Sequence, residues 1–448
     1  MKNITTIRCG AVRVLGVTLA LVALTGCDVT NPGPILDEFV GDEAAQVGLI
    51  FGIQRQITLE YTDAAYDFAL ITREVFPGGQ IGAWGTSVQI HAGMVQADYD
   101  NGAFDNFHTA RFIAETAIMR FNEAGASNAR LFQAHVWAGY TYRILGEWWC
   151  SSVMPDTDPT VTEPSAYFPN DSDPYFNRAV TNFTAALSYA STAEETQAAL
   201  AGRAQAYLWL GDYSAAMADA AQVGSDFAFV TQNDPSESAL YNYLYEGNSG
   251  TFRSYTVQFS WFEDHYTNTG DPRTPWAFDP NFDVAVGSLS GFGQVPYKEQ
   301  QKFTSRGSDV NLASGWEMKL VRAEAILRGA GSGAFADAMA LVNEVRTRNI
   351  SDHDGLTTLA PLVAADATEA WTHLKRERRI ELWLEGRSAP DERRYAATSA
   401  PGTLDIPEWE NPSHPGYTPL FADNPRGRLC FDVPGSERDR NPNVPAVG

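Results

Sequence analysis

Apolar residues recur three and four positions apart along much of the chain, which is the spacing of an amphipathic α-helix. The stretches with this period are residues 105–121, 175–189, 316–327, 334–346 and 367–387. The period fails between residues 76 and 104, a glycine-rich stretch that contains Trp84 and is predicted to be a loop. The sequence therefore predicts a mostly α-helical protein.

An internal repeat indicates which kind of helical fold this is. Residues 142–148 and 207–213 share the form Tyr-x-x-Leu-Gly followed by an acid and an aromatic residue, each near the end of an alanine-rich stretch. The offset, 207 minus 142, is 65 residues, close to two tetratricopeptide repeats of about 34 residues each. In that repeat a glycine ends the first helix at a tight turn, so Gly146 and Gly211 are expected to be turn residues. The pattern predicts about four helix pairs.

The N-terminus has the pattern of a lipoprotein signal peptide. Lys2, Arg8 and Arg13 form a basic start, and the apolar run that follows, residues 14–24, is too short to span a bilayer. It leads into Leu-Thr-Gly-Cys, the order that lipoprotein signal peptidase requires, so Cys27 is predicted to carry lipid after cleavage. An ordinary secretory signal with a chance cysteine is the alternative. Two or three acyl chains would anchor the protein stably to a membrane.

Two blocks without helical period interrupt the helices. Residues 151–174 are rich in Asp, Pro and Ser, and residues 225–312 are rich in aromatic residues, Asn, Gly and Pro. A long irregular insertion in a helical repeat protein is more often functional than structural. The expected segments are a signal peptide (1–26), a lipidated tether (27–36), an N-terminal helical part (37–224), an aromatic-rich ligand-binding insertion (225–312) and C-terminal repeats with a Pro-rich tail (313–448).

The net charge of the chain excludes some classes of binding partner. The whole chain has a formal net charge of −23, and cleavage before Cys27 removes three cations and no acid, which leaves −26 (−23 minus 3). A chain this acidic will not bind nucleic acid by neutralising phosphates, and it should repel polyanionic substrates and anionic membranes.

Two cysteines remain after Cys9 leaves with the signal peptide and Cys27 receives lipid. An exported protein can join Cys150 and Cys430 in a disulfide, although the sequence equally permits two buried free thiols.

Five segments resemble, in the same order, the SusD/RagB family of outer-membrane lipoproteins. Most specific is the Arg-rich stretch 376–387, which reads Arg-Glu-Arg-Arg-Ile-Glu-Leu-Trp-Leu-Glu-Gly-Arg and is followed by Asp-Glu-Arg-Arg. The other four are residues 129–146, 271–273, 320–346 and 431–442. The chain departs from the family pattern at residues 148–150 and 388–390, and its tether lacks the acidic run often found after the lipidated cysteine.

The resemblance implies a mostly helical fold with four tetratricopeptide units and an irregular second part. It also implies a non-catalytic, lipid-anchored protein on the outer face of the outer membrane. Such a protein would capture glycan or peptide fragments as the partner of a SusC-like TonB-dependent transporter. The charged motif from Arg376 to Arg394 is expected to be architectural, because Arg and Glu three and four apart on helices pair with each other.

The aromatic-rich insertion supplies most of the candidate ligand-binding residues. Sugars present apolar C–H faces and hydroxyl edges, so their sites need exposed rings beside amides, carboxylates and arginines. The candidates are Trp84, Trp261, Tyr266, Asn268, Asp271, Arg273 and Trp276. For any single ring, packing in the core is the alternative. The ring content favours a glycan over a peptide as ligand.

Motifs of the common catalytic sites are absent from the sequence. There is no His-Glu-x-x-His, no Gly-x-Ser-x-Gly and no phosphate-binding loop. Glu263 and Asp264 make a poor glycosidase pair, because adjacent residues on one loop rarely present opposed carboxyl groups. No catalytic residue and no cofactor is therefore expected.

Metal binding is not expected either, since the seven histidines show no metal-ligand spacing. Four loop acids could hold calcium, but solvated carboxylates are the commoner explanation. They are Asp156, Asp158, Asp171 and Asp173. The alternative function is that of a tetratricopeptide scaffold lipoprotein for envelope assembly, which would show an uninterrupted concave repeat surface.

Overall fold

A computed structural model describes most of the chain. The described residues are 42–78, 87–97, 99, 102–156, 161–249, 252–279, 281–286, 294–331 and 333–446. The predicted signal peptide, the tether with Cys27, and Trp84 lie outside them.

The described part contains fifteen α-helices and ten short β-strands. The helices are α1 Glu43–Ile71, α2 Val88–His91, α3 Ala103–Ala124, α4 Asn128–Trp148, α5 Asp173–Tyr189, α6 Ala193–Leu210, α7 Tyr213–Ala220, α8 Tyr243–Ser249, α9 Trp261–Thr269, α10 Gly315–Leu327, α11 Phe335–Thr347, α12 Ala367–Glu381, α13 Ser388–Ala397, α14 Pro419–Asp423 and α15 Gly435–Arg440. The strands are β1 Phe76–Pro77, β2 Ser152–Met154, β3 Ala166–Phe168, β4 Ala228–Val230, β5 Tyr255–Thr256, β6 Trp276–Phe278, β7 Val284–Val286, β8 Gln294–Pro296, β9 Lys298–Gln300 and β10 Asn311–Ser314.

The longer helices stack in chain order, as in a tetratricopeptide array. Helices α1, α3, α4, α5, α6 and α7 pack on one another in that order, and α2 is not part of this series. Helix α10 packs on α7, α11 packs on α10, and α12 packs on α11. Close approach depends on small residues: a Cβ on Gly202 of α6 would lie 2.2 Å from the ring of Phe183 on α5. The predicted mostly α-helical, tetratricopeptide-like fold class is confirmed.

The two glycines of the internal repeat have different structural roles. Gly211 ends α6 in the left-handed conformation (φ 75°), and α7 begins two residues later, as predicted. The prediction for Gly146 is wrong, because this residue lies inside α4, which continues to Trp148. Gly146 is needed there for packing, since a Cβ would lie 2.7 Å from the ring of Phe176 on α5.

The strands pair as five two-stranded antiparallel sheets in the described residues, β1 with β5, β2 with β3, β4 with β10, β6 with β9 and β7 with β8. Residues 225–312 hold six of the ten strands, from β4 to β9, the start of β10, and helices α8 and α9. The insertion predicted to be irregular therefore contains short regular elements, of which α9 is the longest helix. No helix in the described ranges is both long and apolar enough to cross a bilayer.

Charged side chains are buried where α4, α10, α12 and α13 meet. Arg387 is 3.1 Å from a carboxylate oxygen of Glu147 and 2.9 Å from one of Glu317, and all three side chains are nearly inaccessible to solvent. Arg378 pairs with Asp391 at 2.8 Å in the same region. Burial alone would raise the pKa of the Asp391 carboxyl, but the charge of Arg378 and a second arginine outweighs burial and lowers that pKa to about 2. The Arg-rich motif thus forms an internal ionic framework.

The C-terminal tail is bound to the end of α4. Cys150 and Cys430 form a disulfide with a Cα–Cα distance of 5.3 Å. The main chain on both sides adds two hydrogen bonds, from Phe431 N–H to the Trp148 carbonyl (2.7 Å) and from Cys150 N–H to the Phe431 carbonyl (3.0 Å). The Pro-rich tail contains two short helices, α14 and α15.

Candidate functional site

Helix α9 is the element around which the predicted ligand-binding residues are arranged. The Ser260 hydroxyl caps its start by accepting from the main-chain N–H of Glu263 (3.3 Å). Gly270 ends it in the left-handed conformation (φ 62°), and the hydroxyl of Ser351 donates to the Thr269 carbonyl at 2.7 Å. A Cβ on Gly270 would lie 2.3 Å from Ser351 Oγ, so only glycine lets these two segments meet. Residues 261–269 were predicted to lie in a loop, and the two cap residues explain why they form a helix instead.

Three aromatic rings form one half-exposed surface beside α9, which we call the aromatic platform (Tyr266, Trp276 and Phe278). The Trp276 ring centre is 6.1 Å from that of Tyr266 and 5.4 Å from that of Phe278, both in edge-to-face contact. Antiparallel pairing of β6 with β9 places Lys298 opposite Phe278, with its ammonium 4.5 Å from the Trp276 ring centre. Phe278 is 62% exposed although it is a large apolar side chain.

Polar groups border the aromatic platform. The indole N–H of Trp276 donates to the Glu263 carbonyl at 3.2 Å, and the Glu263 carboxylate pairs with Lys298. The Tyr266 hydroxyl donates to Asp352 at 3.3 Å, and partial burial with the charge of Asp352 raises the pKa of this tyrosine. Rings with a polar margin suit a ligand that has both an apolar face and hydroxyl groups.

Asp271 and Arg273 are buried behind α9 and are already paired. Arg273 contacts Asp271 at 2.7 Å and also reaches α12, at 2.7 Å from Glu377 and 3.1 Å from Glu381. Burial alone would raise the pKa of Asp271, but hydrogen bonds from His265 and Arg273 outweigh burial and hold this pKa well below its usual range. The Asp-Pro-Arg segment 271–273 and the Arg-rich segment 376–387, which are more than 100 residues apart in sequence, thus contact each other through ion pairs. These pairs hold α9 in place rather than forming its surface.

Trp261 lies on a different face of α9 and borders a groove of about 500 Å³. Its ring stacks on His265 at 4.7 Å between ring centres and an interplanar angle of 13°. We call this depression the α9–α12 groove. Its lining residues are Trp261, His265, Thr269, Arg346, Leu362, His373, Arg376, Glu377, Ile380 and Asp405.

The predicted ligand-binding residues therefore do not form a single site. Tyr266 and Trp276 belong to the aromatic platform, Trp261 belongs to the α9–α12 groove, and Asn268 is exposed on α9.

The loop acids considered for calcium do not form a site in the described residues. Asp171 accepts a hydrogen bond from the main-chain N–H of Asp173 at 2.9 Å, which is a local turn contact, and Asp158 lies outside the described residues. Within the described ranges, no three His, Cys, Asp or Glu side chains are placed to share a metal ion.

Comparison with known proteins gives matches to solved structures only. Neither a protein-family model nor a curated protein sequence matches the chain. A SusD homolog from Bacteroides thetaiotaomicron matches with a TM-score of 0.64 at 14% identity, over 89% of this chain and 96% of that one. A SusD-like carbohydrate binding protein from Bacteroides fragilis matches with a TM-score of 0.58 at 14% identity, over 87% of this chain and 100% of that one. The chain has the SusD fold.

A further match extends this result. Surface glycan-binding protein A from Bacteroides uniformis has the SusD-like fold with a TM-score of 0.59 at 13% identity, over 90% of this chain and 98% of its own. The resemblance indicated by the sequence motifs is thus confirmed in the fold, over about nine-tenths of the chain.

Sequence reasoning missed two residues of the aromatic platform in this SusD-like chain. Phe278 stands two positions after Trp276, and the side-chain period of a strand would have placed both on one face. Lys298 reaches the platform only through the register of β6 and β9, and no local pattern signals that register.

Proposed function

We propose that this protein is a lipid-anchored glycan-binding protein of the outer-membrane surface that passes oligosaccharides to a TonB-dependent transporter. It acts by binding and not by catalysis. The observation that carries the proposal is the fold match over about nine-tenths of the chain to proteins named as carbohydrate-binding and surface glycan-binding. The predicted lipidation of Cys27 supports attachment to the membrane.

The aromatic platform is the place where we expect a sugar to stack. It lies within residues 225–312, the segment assigned to ligand binding from the sequence, and it combines exposed ring area with charged and hydroxyl groups. An isolated exposed phenylalanine needs no explanation, but Phe278 adjoins a lysine and the ring of Trp276, which in turn contacts Tyr266. Such a surface binds the apolar face of a sugar ring and hydrogen-bonds its edge.

Phe278→Ala is expected to weaken binding of the recognised glycan about tenfold, which corresponds to about 1.4 kcal/mol. The measurement is biolayer interferometry of the full-length lipoprotein in detergent against immobilised neutral polysaccharides (xyloglucan, glucomannan, galactan and pullulan). Phe51→Ala is the matched control, because Phe51 is 64% exposed on α1 whereas Phe278 is 62% exposed. Equal loss in both variants, or no binding by the wild type, would contradict the proposal.

The transporter partnership is tested by affinity purification of the tagged lipoprotein from solubilised outer membrane, followed by mass spectrometry. We expect a large TonB-dependent barrel in an amount comparable to the lipoprotein, and a Cys27→Ala variant that does not reach the membrane should recover none. Recovery of assembly factors alone would favour the scaffold function instead.

A further inference from the structure

The α9–α12 groove is built by one face of each of two helices. Trp261, His265 and Thr269 are four residues apart on α9, and His373 and Glu377 are four residues apart on α12, so each set lines one wall. A volume of about 500 Å³ is within the range of small-ligand sites, about 300 to 1,000 Å³. The groove is separate from the aromatic platform, which lies on another face of α9.

The charges of the groove lining compensate one another. Glu377 is held between Arg273 at 2.7 Å and Arg346 at 3.6 Å, and Arg376 makes a two-point contact with Asp405 at the rim. The lining thus contains two arginines and two acids, all paired. An ionic ligand would have to disrupt these pairs or remain unpaired in the groove, and both are unfavourable. The lining therefore favours an uncharged ligand.

Trp261, His373 and Glu377 of the groove lining have polar atoms that make no hydrogen bond within the described residues. The Glu377 carboxylate contacts two arginines as ion pairs. The indole N–H of Trp261 donates to no protein atom in the described part of the chain. His373 Nε2 lies 3.1 Å from the Val363 carbonyl, a contact that selects the tautomer with the proton on Nε2, and in that tautomer Nδ1 is an acceptor. That Nδ1 is buried and has no partner among the described residues. A donor and an acceptor beside an indole ring match the hydroxyl groups and C–H face of one sugar.

We infer that the α9–α12 groove is a second glycan-binding site that accepts a neutral sugar unit and excludes uronic acids. The site rests on the proposed function and makes it more specific, because it names the substrate class. Trp261 supplies the stacking ring and an N–H donor, His373 supplies the acceptor, and the paired charges exclude carboxylates. The Arg-rich α12, which the sequence analysis assigned to architecture, then also lines a ligand site.

Two variants test the site, measured on the same immobilised neutral polysaccharides with the full-length lipoprotein. Trp261→Ala and His373→Phe should each weaken binding of a neutral polysaccharide about tenfold or more. The second variant keeps a ring in place and removes the acceptor together with the Nε2–H that donates to the Val363 carbonyl. Trp316→Ala is the control, because Trp316 is also half-buried and lies outside the groove, against Lys319 and Arg348. Circular dichroism establishes that each variant is folded.

Two further variants test whether the paired charges of the groove exclude an acidic ligand. Asp405→Asn leaves Arg376 without its partner and gives the groove a net positive charge, so binding of immobilised polygalacturonate should appear. Arg376→Gln breaks the same ion pair but leaves a net negative charge, so polygalacturonate should still not bind.

Failure of this inference can be distinguished from failure of the proposed function. If the wild type binds a neutral polysaccharide and Phe278→Ala weakens it, while the two groove variants bind like wild type, the groove is not a glycan site and the proposed function stands. If the wild type binds none of the neutral polysaccharides, both are overturned.

Discussion

Replacing Arg387 by methionine is expected to lower the free energy of unfolding by about 4 kcal/mol. The guanidinium of Arg387 lies 3.1 Å from Glu147 and 2.9 Å from Glu317, and these carboxylates are only 1% exposed. Methionine has a similar length but no charge, so both acids would lose a partner in a region that water does not reach. Glu147 would keep Arg143 at 2.7 Å and Glu317 would keep Arg378 at 3.7 Å, but the buried cluster would lose one positive charge without losing an acid. An uncompensated buried charge costs much more than an intact pair contributes.

Arg306→Met is the matched control for that substitution. Arg306 also makes two hydrogen bonds to one carboxylate, at 2.7 Å and 2.9 Å from Glu246, but its side chain is 47% exposed. Exposed pairs contribute about 1 kcal/mol or less, because water and salt screen them. Urea unfolding followed by circular dichroism gives both values. Equal losses in the two variants would show that burial of the Arg387 pairs does not govern their contribution.

The helical part of this fold could be predicted because its causes are local. The apolar period of three and four marks the long helices, and Gly211 signals the turn between α6 and α7 through its own backbone conformation. Gly146 has the same sequence context, yet it lies within a helix, where the absence of a side chain leaves space for the ring of Phe176 on the next helix. That requirement comes from a residue 30 positions away (176 minus 146), and it cannot be read from the repeat itself.

The candidate site was harder to predict because contacts with residues distant in sequence determine which of its side chains are exposed. Composition identified residues 261–276 as rich in rings and polar groups, but it could not separate exposed residues from supporting ones. Arg273 is buried because Glu377 and Glu381 of α12 receive its guanidinium, and these residues are more than 100 positions away. Phe278 is 62% exposed because β6 pairs with the short strand β9 and no helix of the described residues covers this side chain.

The same ion pairs connect the Arg-rich helix α12 to the candidate site. Helix α12 holds the Asp271–Arg273 turn, and this turn follows directly after α9, which carries Trp261 on one face and Tyr266 on another. A rigid, internally neutral support therefore lies beneath both the aromatic platform and the α9–α12 groove. Side chains held in this way lose little conformational entropy when a ligand binds.

Removing the disulfide by the double substitution Cys150→Ser, Cys430→Ser is expected to lower the free energy of unfolding by about 3 kcal/mol. The bond joins residues 280 positions apart, so it strongly restricts the unfolded chain. The native contacts around it should persist, since Phe431 N–H donates to the Trp148 carbonyl and the Phe431 ring packs on Phe68 at 4.5 Å. The loss should therefore appear in stability and not in glycan binding.

Urea unfolding with and without dithiothreitol separates this effect from that of the serine substitutions. Reduction should destabilise the wild type by about the same 3 kcal/mol and leave the double variant unchanged. A wild type whose stability does not respond to reductant, while thiol titration shows that its cysteines have become reduced, would mean that the tail is held by its packing and hydrogen bonds alone. The cross-link would then add nothing to the attachment between α4 and the C-terminal tail.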